Sequence, residues 1–209
     1  MKETRKELMQ EEKETARIEA FSDGVFAIAI TLLVLDIKVP HRDQLPEGVR
    51  LIGALLKQWP TYLAYVTSFL TILIMWMNHH KLFQHIKRSD HMFLLINGLL
   101  LMGVTIVPFP TSLLAEYIEH PYARVAAAIY SGMFVVTAVL FNILWRYAAH
   151  KGRLLVKDYD PQVVQKITDQ YRFGPLLYIV AFGLSFVSVT ASVGICVALA
   201  IFFALPLPR

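Results

Sequence analysis

Apolar residues in this chain gather into long runs, separated by short polar or basic stretches. A helix of about 20 apolar residues crosses a bilayer core about 30 Å thick. The pattern predicts an all-α, polytopic membrane protein with six transmembrane helices, at about 20–38, 59–80, 92–114, 122–146, 172–189 and 191–207. From Phe21 to Val39, the first run would reach about 28 Å at the helical rise of about 1.5 Å per residue. Trp59-Pro60 opens the second, with proline at a permitted first-turn position and aromatic rings at interface depth. Pro108 and Pro110 should kink or end the third, which is expected to stop at the Pro108-Phe109-Pro110-Thr111 break. The final apolar block is too long for one ordinary span and carries small residues between Ser188 and Gly194, so it divides into two.

The connections sort the two sides of the membrane. Residues 1–16 carry both signs of charge and read as a cytosolic helix leading into the first span. They lack the pattern of a cleaved signal peptide. This frames an N-terminal segment, 1–19, before a six-span domain, 20–207. A loop is expected over 40–48, a short amphipathic piece over 49–57, a basic loop over 81–91 and a hydrophilic turn over 116–121. The longest internal loop, 147–170, is basic, with Asp158-Tyr159-Asp160-Pro161 as a turn or helix start. With six spans, one side collects 15 Lys plus Arg and the other 5. Cytosolic loops are the basic ones, so both termini are expected in the cytosol.

Composition narrows the class. The chain is 56% hydrophobic and 17% charged, against about 25% charged in soluble domains. There is little room for a soluble catalytic or nucleic-acid-binding domain. The net charge of +4 is accounted for by basic cytosolic loops rather than by a nucleic-acid partner. The single cysteine, Cys196, allows no intrachain disulfide and has no metal-ligand spacing.

The first span is the one that begins with a compact polar motif, Arg17-Ile18-Glu19-Ala20-Phe21-Ser22-Asp23. At 100° per residue, Val25, Ile28, Thr31, Leu32, Leu35 and Val39 fall on one face, and Asp23 points away from Ile28. One face is therefore aliphatic with a single hydroxyl. Such a face can be packed core or pore lining. Arg17, Ser22 and Asp23 could lock together, each satisfying a group that is costly near lipid. Alternatively Arg17 snorkels to headgroups and Asp23 faces water. In the second span, Trp76, His79, His80 and Phe83 share a face by helical spacing.

Arg17-x-x-x-Phe21-Ser22-Asp23, followed by Gly24-Val25-Phe26-Ala27-Ile28, resembles the RxxxFSD signature of the transmembrane protein 175 family, potassium-permeable channels of lysosomes and prokaryotes. Trp76-x-Asn78-His79-His80, Asn97 and Pro108-Phe109-Pro110-Thr111 match further family positions in the same order. The resemblance covers the first four spans and, more weakly, the last two. It implies a prokaryotic single-repeat member in the cell membrane, assembled as a homotetramer. Ile28 then stands at the family's narrowest apolar ring, Leu32 and Leu35 continue the series, and Thr31 is at a position where a hydroxyl bears on ion preference. The resemblance also implies a network in which Trp76, Asn78, His79 or His80, and Asn97 fix the Phe21-Ser22-Asp23 segment. The expected function is a potassium-permeable cation channel whose pore is lined by the first span, gated by a hydrophobic constriction. Its partners are the bilayer and monovalent cations, and no cofactor is implied beyond permeant K+.

Other classes remain to be weighed. A proton- or ion-coupled secondary transporter could use Asp23 and the histidines of span 2. A membrane enzyme would need a nucleophile paired with Asp23 and a histidine, and none is spaced for it. A metal site built from His79, His80, His85 and His91 lacks a thiol or carboxylate to complete the shell. The chain has no TVGYG filter sequence and no Arg-rich helix of the voltage-sensing type.

Overall fold

The computed structural model describes residues 2–40 and 51–204, with side chains from Lys13 onward. The expected loop over 40–48 lies outside the described residues except for Pro40, as does the end of the last expected span at 205–207. The elements are α1 (Lys2–Leu32), α2 (Leu51–Lys57), α3 (Trp59–His85), α4 (His91–Ile106), α5 (Pro108–Tyr117), α6 (Ala123–Ala149), α7 (Pro161–Arg172), α8 (Gly174–Ser185) and α9 (Val189–Ala204). A 3-10 turn, Leu33–Asp36, ends α1. Beside these helices, the β pairing among the described residues is a single bridge between Ile86 and Leu155.

Four helical segments are long and apolar enough to cross a membrane: Lys13–Asp36, Trp59–His85, His91–Tyr117 and Ala123–Gly152. They correspond to the first four expected spans. The helices in the last two, α8 and α9, have 12 and 16 residues, about 18 and 24 Å at the helical rise. Both are shorter than the bilayer core.

Two boundaries differ from expectation, each for a local reason. Helix α3 continues through Lys81–His85, where a basic loop was expected, because Leu82 and Phe83 are buried and keep the apolar face going. At the proline pair the chain takes the expected kink rather than the expected end, and the third span runs on to Tyr117. It breaks at Val107 and resumes as α5. Pro108 has no amide to donate, and at the first turn of α5 none is needed. The segment 147–170 contains most of α7, which starts where Asp160 accepts a hydrogen bond from the Gln162 amide at 2.8 Å and Pro161 occupies the first turn.

Helix α6 is the centre of the bundle, packed against α4, α5, α7, α8 and α9. Its Trp145 is fully buried and donates from Nε1 to Thr168 Oγ1 of α7 at 2.9 Å. Helix α1 lies at the edge, packed chiefly against α3 and α4. It buries Ser22, Phe26 and Ala29 on its inner side, and the 3-10 turn that follows buries Leu33. The opposite side is bare.

At one end of the bundle the chain is clasped between two loops. The Lys87 amide donates to Leu154 O at 2.9 Å and the Val156 amide to His85 O at 3.0 Å. Asp90 caps α4 by accepting from the Phe93 amide at 2.9 Å, accepts from the Tyr147 hydroxyl at 2.8 Å and pairs with Arg153 at 3.0 Å. Partial desolvation pushes the Asp90 carboxyl up. The Phe93 amide, the Tyr147 hydroxyl and the Arg153 guanidinium outweigh it and hold the carboxyl below its usual range.

Candidate functional site

The polar residues of α1 and its bare apolar face lie on different sides of one helix. On the inner side, Ser22 is fully buried, and its hydroxyl donates to Ile18 O at 2.8 Å. The Asn97 amide on α4 donates to Ser22 Oγ at 3.0 Å, and Asn97 Oδ1 lies 2.9 Å from His79 Nε2 on α3. With Asn97 Oδ1 as the acceptor, Nε2 carries the proton. His79 is itself fully buried, stacked on Phe83 with centroids 4.4 Å apart and tilted against Phe26 at 5.4 Å. Ser22, Asn97 and His79 thus join three helices through one chain of bonds. Asp23, one residue on, accepts from Trp76 Nε1 at 2.8 Å.

His80 points elsewhere. Its Nδ1 lies 3.0 Å from Glu19 Oε1, and its ring stacks on Trp76. Glu19 sits inside the Arg17-to-Phe21 interval and went unremarked in the sequence. A carboxylate four residues before Asp23 on the same helix face was the available signal. Asn78 does not bond to the Phe21-Ser22-Asp23 segment. Its amide donates to Ile74 O, and its Oδ1 accepts from the Tyr171 hydroxyl of α7 at 3.1 Å. Residues 78 and 79 diverge by about 100° on the helix, so only one of them can face α1.

Arg17 bonds to neither Ser22 nor Asp23. It is exposed, and so is Phe21, at 67%. Five and six residues separate Arg17 from the two polar groups, which puts it well round the helix from both. Arg17 instead lies on the outer stripe with Ala20, Gly24 and Ile28.

That stripe is the second half of the site. Ile28 is 58% exposed, Leu32 54% and Leu35 62%, and Thr31 is exposed between them. The Thr31 hydroxyl donates to Ile28 O at 3.0 Å, which leaves its oxygen able to accept. Leu35 belongs to the 3-10 turn rather than to the α-helix. At that turn Asp36 Oδ2 accepts from Ser112 Oγ of α5 at 3.1 Å, tying the end of the stripe to the bundle. The described residues contain no group of three His, Cys, Asp or Glu side chains able to hold a metal ion.

The family model described as endosomal/lysosomal potassium channel TMEM175 matches residues 17–108, which holds both the stripe and the polar chain. A Chamaesiphon minutus protein named a potassium channel is 61% identical over 195 residues, 93% of this chain and 96% of that relative. The human protein named endosomal/lysosomal proton channel TMEM175 is 34% identical over 138 residues, 63% of this chain and 27% of the human one. The crystal structure of a lysosomal potassium-selective channel TMEM175 homologue from Chamaesiphon minutus matches with a TM-score of 0.82 and 59% identity, covering 92% of this chain and 97% of that one. By its motif, by its similarity along nearly the whole chain and by its fold, the chain belongs to the TMEM175 family.

Proposed function

We propose that this chain is one subunit of a homotetrameric, potassium-permeable cation channel in a prokaryotic cell membrane. The reading takes 20–207 as a six-span channel domain, 1–19 as a cytosolic segment and both termini as cytosolic. Four copies of α1 surround the axis, with Ile28, Thr31, Leu32 and Leu35 turned towards it. The observation that carries this reading is the division of α1. On its inner side Ser22 and Asp23 find partners on α4 and α3, while the bare stretch from Ile28 to Leu35 on its outer side is aliphatic with one hydroxyl.

The chemistry follows from that division. The constriction at Ile28 resists ions because an apolar ring cannot replace their hydration shell, and a small outward movement of α1 would wet it. The Ser22–Asn97–His79 chain and the Trp76–Asp23 bond fix the rotation of α1, and so decide which residues form the rings. Arg17 stands on the same stripe at the cytosolic mouth. Selectivity then rests on apolar rings, the Thr31 oxygen and mouth charges, without a cage of backbone carbonyls. Modest discrimination between potassium and sodium is expected.

Passive potassium efflux from liposomes holding the purified protein, with sodium in parallel, tests the proposal. Efflux down the gradient, proportional to driving force and larger for potassium, supports a channel. Saturable turnover that needs a second ion gradient would replace it with the coupled transporter built on Asp23 and the α3 histidines.

A further inference from the structure

A second feature lies away from the bare stripe of α1. A cavity of about 170 Å³ opens between the N-terminal half of α3, α5, α6 and α9, walled by Leu63, Ala64, Leu114, Ala115 and Val193 among others. Its size is close to that of an engineered apolar cavity of about 150 Å³ that takes up benzene or xenon. Trp59 and Leu63 stand at its edge, both about half exposed on the outer surface of α3. The cavity is thus open to a molecule dissolved in the bilayer.

One wall residue is chemically unlike the rest. Tyr130 is 2% exposed, and its hydroxyl makes no hydrogen bond among the described residues. The other buried hydroxyl in the wall, Thr111, already donates to Val107 O at 3.0 Å, and Thr67 donates to Leu63 O at 2.8 Å. Tyr130 is therefore the buried donor in this wall that is still unspent. A buried hydroxyl without a partner is costly, and a ligand that supplies an acceptor recovers that cost. A plain acyl chain would fill the volume and leave the donor unanswered.

We infer that this cavity is a binding site for a small apolar molecule of about six to eight non-hydrogen atoms carrying one hydrogen-bond acceptor, held by the Tyr130 hydroxyl. Small cyclic or aromatic ketones and ethers that partition into membranes have this chemistry. The inference is independent of the ion path and stands whether or not α1 lines a pore.

The test uses the full chain in lipid nanodiscs and a matched pair of probes, cyclohexanone and cyclohexane, with binding read as a saturable rise in unfolding temperature. Cyclohexanone should bind more tightly than cyclohexane to the wild type. Tyr130→Phe should weaken cyclohexanone about three- to tenfold, the range for one hydrogen bond, and leave cyclohexane unchanged. Ala115→Leu, which fills the cavity, should abolish the saturable response to both. Equal affinity for the two probes, or a cyclohexanone response that survives Tyr130→Phe undiminished, would overturn the assignment. If Ala115→Leu does not fold, the Tyr130→Phe comparison alone decides.

Discussion

His79 Nε2 on α3 and Asn97 Oδ1 on α4 lie 2.9 Å apart, and the other end of the same Asn97 amide donates to Ser22 on α1. One side chain therefore answers two helices at once. All three residues are buried, so no water competes for these bonds. In a bilayer, polar side chains between helices orient the helices as well as hold them.

Asn97→Leu removes both contacts and leaves the Ser22 oxygen and the His79 nitrogen buried without these partners. Each such group costs about 1–3 kcal/mol. For a chain of this length a total of about 2–6 kcal/mol lowers the melting temperature by about 4–24 °C. Thermal unfolding of purified protein checks this, and an unchanged midpoint would show that the polar chain contributes little.

The Trp76–Asp23 bond is a separate link. In a double-mutant cycle of Trp76→Phe and Asp23→Ala, the coupling should be about 1–2 kcal/mol, as for a hydrogen bond to a charged group that is only partly buried. Ion preference should change less than folded yield. A well-folded Asp23→Ala protein with altered preference would place Asp23 on the ion path instead.

Asp90 gives the end clasp a pH dependence of known sign. Its carboxyl is held below its ordinary value of 3.8 in the folded chain. The stabilisation is therefore full above the unfolded value and is lost as pH falls through the folded one. Asp90→Asn should lower the melting temperature at neutral pH, and the gap to wild type should close as pH falls below the ordinary carboxyl value of 3.8. Arg153→Ala should reproduce part of the effect. A gap that stays constant with pH would mean that the charge is not what matters.

Gly152 adopts φ +66°, and a Cβ there would sit 2.6 Å from Cε1 of Tyr159. Gly152→Ala meets both the left-handed backbone penalty and this clash. It should cost about 1–3 kcal/mol. Combining it with Tyr159→Ala should recover the steric part, and unfolding measurements on the two variants separate the contributions.

The apolar runs made the first four spans legible in the sequence, because length and hydropathy are nearly all that a membrane crossing demands. Helix ends were less so. Lys81 and Gln84 look like loop residues, and only the burial of Leu82 and Phe83 beneath their neighbours keeps α3 helical to His85. The aliphatic stripe from Ile28 to Leu35 could be read from periodicity, but not which way it faced. That depends on α3 and α4 taking the opposite side of α1. Adjacent His79 and His80 could not be ranked, and Asn78 was expected in the same network, because the partners that separate them, Asn97, Glu19 and Tyr171, come from helices placed only by the tertiary fold. Glu19 was hidden for the same reason, as its partner His80 is 61 residues away.

The central claim is that the bare stripe of α1 is the ion path, and Ile28→Asn tests it most directly. Potassium efflux from liposomes should be compared for wild type, Ile28→Asn and Leu70→Asn, the last altering a residue of α3 that is also half exposed. A polar side chain in the constriction wets it, so Ile28→Asn should raise efflux several-fold while Leu70→Asn leaves it near the wild-type rate. Efflux in all three proteins at the same rate would contradict the account and move the path away from α1.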